Sequence, residues 1–434
     1  MSLSTSMIVV IVLFLVLMML GFPVLYALGL PCLVWLAMNP RMPVTILSQN
    51  MMAYLNSFTL LSLPGFMLVG RLMNTCGVTD RLFNLSMALV GKFRGGMAYA
   101  NCVASAMFAS MSGSAIADAG GLGLVEMKMM KSAGYDPAYS AGVTAASSII
   151  GPIIPPSAAM VLLGAISQIS VASMFFGGIV PGILLCGSLC LQVFFVTHFT
   201  EKGKKMPCSP VPKEQALKTI PASMPALLTF VIILGTILTG VCTTTEAAVI
   251  AVWYSIFLGI CYKKVTPKSL WETCKNTAEA CGPLFIIMTS ASMFSWIITR
   301  EGLPQILTGL MTGIAESSSI TVVILICIVI FLIIGCFMDT TAAVILLAPI
   351  IMPIIKGLGV DPIYFGVLMV LSLMVGIITP PFGICLFVVS GVAKLPVRAV
   401  TIEAIKYIPA MLLTIALILF FPQLVLFIPN LFFG

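Results

Sequence analysis

Apolar residues run along this chain in long blocks separated by short polar breaks. The blocks fall near 7–37, 55–75, 83–91, 97–111, 140–165, 172–197, 224–240, 246–262, 283–299, 319–336, 342–355, 363–378, 382–393 and 407–429. One bilayer crossing takes about 20 apolar residues as helix, so the pattern predicts an all-α polytopic membrane protein. The first block is too long for one straight crossing, and Gly21-Phe22-Pro23 predicts a bend. Stretch 38–54, with Arg41 and Pro43, reads as an interfacial amphipathic helix. Residues 200–218 form the longest hydrophilic stretch and carry five lysines, which places them in the cytoplasm by the positive-inside tendency. Lys263, Lys264 and Lys268 make a second basic loop, followed by an amphipathic stretch at 268–282.

Two stretches repeat one pattern at a fixed distance of 225 residues. Lys131, Gly134, Asp136, Pro137, Tyr139, Gly151 and Pro155-Pro156 recur without a gap as Lys356, Gly359, Asp361, Pro362, Tyr364, Gly376 and Pro380-Pro381. The Gly and Asp-Pro positions predict turns and helix starts. Both Pro-Pro pairs interrupt apolar sequence, and helix breakers at matching places in a duplicated unit point to a transporter's binding site. Ahead of each copy lie two short arms around a polar tip. Residues 97–111 lead to Ser112-Gly113-Ser114, and a second arm runs from Ala115 to about Met130. Residues 319–336 lead to Phe337-Met338-Asp339-Thr340-Thr341, followed by Ala342 to Ile355. Ser114 and Asp339 keep the same spacing. An arm of about 15 residues reaches roughly 22 Å as helix, short of a hydrocarbon core of ~30 Å. Each pair is therefore predicted to be a re-entrant hairpin, its tip enclosed by protein or water.

Composition agrees with the membrane reading and removes other classes. The chain is 60% hydrophobic and 8% charged, against roughly 25% charged in soluble domains. Its net charge of +7 fits cytoplasmic loops, and the basic residues show none of the aromatic interleaving of a nucleic-acid surface. Thirteen scattered cysteines form no CxxC pair, so neither a disulfide framework nor a zinc site is indicated. Met1 to Ser6 lack a basic n-region, so the first block reads as a membrane helix. Ser112-Gly113-Ser114 invites comparison with an intramembrane serine protease. The single histidine, His198, lies too far along the chain for general-base help, and no enzyme is predicted.

The chemistry available at the breaks is oxygen chemistry. Pro155, Pro156, Pro380 and Pro381 supply no backbone N–H and so free carbonyl oxygens; the tips add hydroxyls and the Asp339 carboxylate. Such oxygens suit a partly dehydrated cation such as sodium. Helix N-termini at the same breaks favour an anionic solute. Two breaks predict two cation sites flanking one solute site. Asp118 suits either ordering of the first hairpin or the cation shell; Glu246 suits a helix cap or a place near the site. Arg300-Glu301 reads as a local ion pair or, through Arg300, as a carboxylate anchor.

Ser112-Gly113-Ser114-Ala115, Gly151-Pro-Ile-Ile-Pro-Pro-Ser157, Thr245-Glu246-Ala-Ala, Phe337-Met-Asp-Thr-Thr-Ala342 and Gly376-Ile-Ile-Thr-Pro-Pro381 together resemble the large membrane subunit of TRAP transporters, the tripartite ATP-independent periplasmic carriers. The resemblance covers essentially the whole chain. It implies an elevator-type secondary transporter of the bacterial inner membrane, with inverted repeats, a scaffold and a mobile transport domain. It also implies coupling to two or more sodium ions, a small four-helix membrane subunit and a soluble periplasmic substrate-binding protein. The chain starts directly at the large-subunit pattern, so that small subunit is expected as a separate polypeptide. The first sodium would be held by Ser112, Ala115, Gly151, Ile154 and Pro156, and the second by Phe337, Thr340, Gly376, Thr379 and Pro381, with Asp339 adding charge. Ser114, Ser157 and Arg300 would meet the substrate. Phe337 offers only a carbonyl, which departs from strict symmetry. The family carries organic acids, and overall similarity favours sialic acid; a self-sufficient sodium-coupled carboxylate carrier is the alternative. The expected organisation is scaffold helices at 1–54, a first repeat at 55–200 (hairpin 97–130, broken helix 151–156) and a cytoplasmic linker at 201–223. Scaffold helices and an amphipathic arm follow at 224–282, then a second repeat at 283–434 (hairpin 319–355, broken helix 376–381). Lipid is the remaining partner.

Overall fold

The structure, a computed structural model, describes residues 4–53 and 55–433. Regular structure among them is helical, with one isolated bridge between Arg94 and Cys208. Among the described residues, six helices are long and apolar enough to cross a membrane: Val171–Phe199, Ala216–Leu238, Thr244–Cys261, Pro267–Arg300, Ile320–Phe337 and Thr340–Gly357. Much of their surface is apolar and exposed, for example at Val231, Trp253 and Phe257, as lipid-facing helices require. The predicted bend lies between Thr5–Met19 and Val24–Met38, where Gly21 takes φ +78°.

Each expected polar tip joins two helices into a hairpin, but the expectation of arms too short to cross fails at the second tip, where both arms are of spanning length. The first consists of Gly96–Ser112 and a returning arm that is itself broken at Gly121, into Ala115–Gly120 and Leu122–Ser132. The second has unbroken arms, Ile320–Phe337 and Thr340–Gly357, of 18 residues each. The second arm is longer than its sequence block because the tip's polar residues Asp339 and Thr340 cap and begin it instead of widening the turn. The linker is shorter than 201–223, since the helix Lys213–Leu238 begins inside it directly after Pro212. The amphipathic stretch at 268–282 is continuous with the next apolar block in the single 34-residue helix Pro267–Arg300.

The duplicated motif builds the same object twice. Gly134 and Gly359 turn the chain with φ +86° and +74°. Asp136 then accepts the Ala138 N–H at 2.9 Å, and Asp361 the Ile363 N–H at 2.8 Å. These caps start Pro137–Ser148 and Pro362–Gly376, with proline at the first helical position, where its missing N–H costs nothing. Each helix stops ahead of its Pro-Pro pair, and the chain resumes as Ala158–Ser167 or Ile384–Ala393. Both arms of each hairpin pack on the first half of the following broken helix. The second halves are exchanged. Ala158–Ser167 packs on Thr340–Gly357 of the other hairpin, and Ile384–Ala393 packs on Ala115–Gly120.

One face of this assembly carries the linker. Gly95 N–H and the Tyr135 hydroxyl both donate to Pro207 O, at 3.3 and 3.0 Å. Burial pushes the Tyr135 phenol up to about 12, so it remains a neutral donor. Glu403 and Lys406, which follow the second broken helix, line a cavity with Tyr135 and Lys205 on this face. Lys356, just before the second broken helix, instead donates to Ser167 O at the far end of the first, at 2.8 Å.

Candidate functional site

The two hairpin tips and the first break enclose a cavity of about 310 Å³. Ser112, Gly113, Ser114 and Ala115 enter it from the first tip, and Asp339, Thr340 and Thr341 from the second. Pro152, Ala158 and Ala159 come from the first broken helix. The opposite wall belongs to Ser62–Thr75 and Pro267–Arg300, through Gly70, Arg71, Asn74, Ala280 and Leu284.

Close backbone contact holds the first tip on the first break. Gly113 sits at φ +58°, and a Cβ there would stand 2.4 Å from Pro156 O. Ala158 N–H donates to Gly113 O at 3.4 Å. Ser114 caps Ala115–Gly120 and Ser157 caps Ala158–Ser167 with their hydroxyls. Behind the tip lies Asp118, 2% exposed. Ser112 Oγ donates to one of its oxygens, Oδ1. The other, Oδ2, has no hydrogen-bond partner among the described residues, and a Cβ on Gly151 would meet it at 2.5 Å. Asp118 thus stands between Ser112 and Gly151, two members of the first predicted ligand set. No described backbone N–H donates to the carbonyls of Gly151, Ile154 or Pro156, which leaves those oxygens available.

The second tip is joined to its break in a related way. Gly383 N–H donates to Cys336 O at 3.1 Å, the donor lying 225 residues after Ala158. Gly335 and Gly376 touch backbone to backbone; a Cβ on Gly376 would lie 2.6 Å from Gly335 Cα. Thr340 is fully buried, its hydroxyl 3.7 Å from Met374 Sδ. Here the predicted ligands are partly engaged. Gly376 O accepts the Thr379 N–H at 2.8 Å, and Thr379 Oγ1 donates to Val375 O at 2.7 Å. Asp339 Oδ2 accepts both the N–H and the hydroxyl of Thr341. Phe337 and Phe382 are exposed, their rings 5.5 Å apart, and Pro381 is exposed beside them.

Of the three predicted substrate contacts, Ser114 lines the cavity. Ser157 is fully buried as a cap next to the lining residue Ala158. Arg300 lies elsewhere, exposed, its guanidinium 5.3 Å from the Trp296 ring. It does not pair with Glu301, which accepts from Trp35 Nε1 at 2.8 Å and from Ser4 Oγ. Arg300 ends a long helix and is carried away from the tips by that helix's length. Glu246 closes a capping box with Thr243. The positively charged side chain that does line the cavity, Arg71, was not singled out from the sequence, nor was Asn74 one turn later. A signal existed: an arginine inside an apolar block, where an ionisable residue marks a functional position by default.

Comparison with known proteins agrees with this architecture. Residues 11–424 match the family model of the tripartite ATP-independent periplasmic transporter, DctM component. The sialic acid TRAP transporter large permease protein SiaM of Vibrio cholerae is 36% identical over 415 residues, covering 95% of this chain and 96% of that one. The C4-dicarboxylate TRAP transporter large permease protein DctM of the same organism is 34% identical, covering 96% of each. In fold, the chain resembles the YdaH transporter of Alcanivorax borkumensis, with a TM-score of 0.61 at 15% identity over 86% of this chain and 88% of that one. The chain belongs to the DctM component family of the tripartite ATP-independent periplasmic transporters.

Proposed function

We propose that this chain is the permease through which a sodium gradient drives uptake of an organic acid. As a large TRAP permease it is a multi-pass protein of the bacterial inner membrane, works with a substrate-binding protein, and is a transporter subunit and not an enzyme. The observation that carries the sodium reading is the first break. At Gly151 lies a buried Asp118 oxygen without a partner, its other oxygen bonded by the Ser112 hydroxyl, and the carbonyls of Gly151, Ile154 and Pro156 along the same break accept no described backbone N–H. A carboxylate buried in this way is costly as an anion unless a cation or a proton joins it, and an all-oxygen shell suits an alkali ion. Ser112, Ala115, Gly151, Ile154 and Pro156, with Asp118 added, form this site. Thr340 with the carbonyls of Phe337, Gly376, Thr379 and Pro381 forms a weaker second one.

The solute sits between the tips, at Ser114, in the cavity they share. Sodium draws each tip onto its break and so populates the form that holds the solute. The two units read as inverted repeats. The start of the first broken helix and the residues after the second share the linker face, while Lys356 and Ser167 meet at the other. With the second halves exchanged, the hairpins and broken helices form one interlocked body, suited to moving as a unit in an elevator cycle. A small four-helix membrane subunit is the remaining partner. Sialic acid is the first solute to test, because relatives named for it include the Vibrio cholerae SiaM and the Haemophilus influenzae SiaT, both 36% identical. Dicarboxylate, diketogulonate and isethionate relatives follow at 32–34%.

The test is reconstitution of the transporter in liposomes with its binding protein, measuring uptake of labelled N-acetylneuraminate, a C4-dicarboxylate, 2,3-diketo-L-gulonate and isethionate. Uptake of one acid that needs an inward sodium gradient is expected. Equal uptake with potassium replacing sodium overturns the coupling, and uptake without any binding protein favours a self-sufficient carrier.

A further inference from the structure

We propose that Arg71, with Asn74, is the anion anchor of the cavity: its guanidinium pairs with the carboxylate of the solute and sets the preference for acids over neutral analogues. This rests on reading the cavity as the solute site of an organic-acid carrier, and adds the group that recognises the charge.

Among the described residues lining the cavity, two are charged, Arg71 and Asp339. Asp339 is committed to its own tip, since Oδ2 accepts both the N–H and the hydroxyl of Thr341. Arg71 is half-buried, and none of the described carboxylates lies within ion-pair distance of it. An arginine in an apolar membrane helix normally pairs with an acid or a backbone carbonyl. A cavity-facing arginine without an acid partner fits a solute that brings the negative charge with it.

The local geometry turns this wall into a donor surface. Arg71 and Asn74 are three residues apart on Ser62–Thr75 and so share a face. Thr79 Oγ1 donates to Asn74 Oδ1 at 2.9 Å, which occupies the amide's acceptor. The Asn74 NH₂ packs against Gly121 and donates to no described residue, so it remains an unused donor beside Arg71 in the cavity wall. Gly70 fixes their distance from the first tip: a Cβ there would lie 2.8 Å from both Ser112 Cα and Met111 O. The helix backbone therefore rests directly on the tip backbone. A carboxylate held between Ser114 and this wall meets hydroxyl on one side and a planar, bidentate donor on the other. Ser62–Thr75 also packs on Thr244–Cys261 and Pro267–Arg300, outside the exchanged hairpin body, so Arg71 reads the solute from the wall facing that body.

The experiment uses the purified membrane complex in sodium, reading protection against thermal unfolding by N-acetylneuraminate and by its methyl ester, alongside liposome uptake. In the native complex the acid is expected to bind at least tenfold more tightly than the ester. Arg71→Gln is expected to weaken the acid about tenfold or more, leave the ester within about twofold, and so erase the preference. Arg71→Lys keeps the charge without the fork and is expected to retain part of it. Arg71→Gln with a native acid preference overturns the anchor, as does a native complex that binds acid and ester equally. Should Arg71→Gln fail to fold, Arg71→Lys decides: an acid affinity indistinguishable from native contradicts bidentate pairing. A native transporter that shows sodium-driven uptake of none of the acids overturns the underlying reading, and the anchor with it.

Discussion

The two Pro-Pro breaks follow one backbone plan and stand in opposite surroundings. From Gly151 to Met160 every residue is buried, with the Asp118 carboxylate against Gly151 and the Ser112 hydroxyl bonded to that carboxylate. At the second break Pro380, Pro381 and Phe382 are exposed. The positions 225 residues after Ser112 and Ser157 are Phe337 and Phe382, so two hydroxyls of the first unit are matched by two touching rings in the second. The two units share the path of the chain and not the groups they carry. Water-poor surroundings strengthen the attraction between an ion and a carboxylate, so the first break is expected to dominate sodium affinity, and the open second break to contribute less.

Substitutions at the two tips sharpen or break this contrast. The largest effect is expected for Gly113→Ala, because φ +58° and a Cβ 2.4 Å from Pro156 O leave no room at the first tip. Strain and overpacking of this kind cost about 2 kcal/mol or more, and uptake should fall to background. The matched Met338 has extended backbone at φ −141°, so Met338→Ala should keep most uptake; equal losses in both would dissolve the difference. Ser112→Ala is expected to raise the half-saturating sodium concentration about tenfold, or ~1.4 kcal/mol. Thr340→Val should raise it about threefold, and the reverse order would make the second break the tighter one. Glu246→Ala removes an exposed capping box at the start of Thr244–Cys261. A melting temperature lowered by the equivalent of about 1 kcal/mol, with unchanged sodium dependence, is expected there.

What the sequence disclosed and what it hid follow the same division. Tips, breaks, turns and caps were legible because glycine, proline and Asp-Pro act locally: Gly134, Asp136, Gly359 and Asp361 do the same thing in both copies regardless of context. Hairpin arms were legible in place but not in length, since capping by Asp339 at the second tip and the interruption at Gly121 in the first depend on neighbours. The exchange of second halves between units is a tertiary fact that no local pattern records. Arg300 was a misleading candidate because an arginine at the end of an apolar block looks the same whether its helix ends at a cavity or far from one. Arg71 gave the opposite problem, a single charge inside a block scored by its apolar neighbours.

The proposed coupling-ion site among the oxygens of the first break takes its charge from Asp118. Its most direct test is the sodium dependence of solute uptake in reconstituted native, Asp118→Asn and Asp339→Asn transporters, measured side by side. The expected result is a curve displaced at least about tenfold toward higher sodium for Asp118→Asn and a much smaller displacement for Asp339→Asn. An Asp118→Asn curve that superimposes on the native one contradicts the claim.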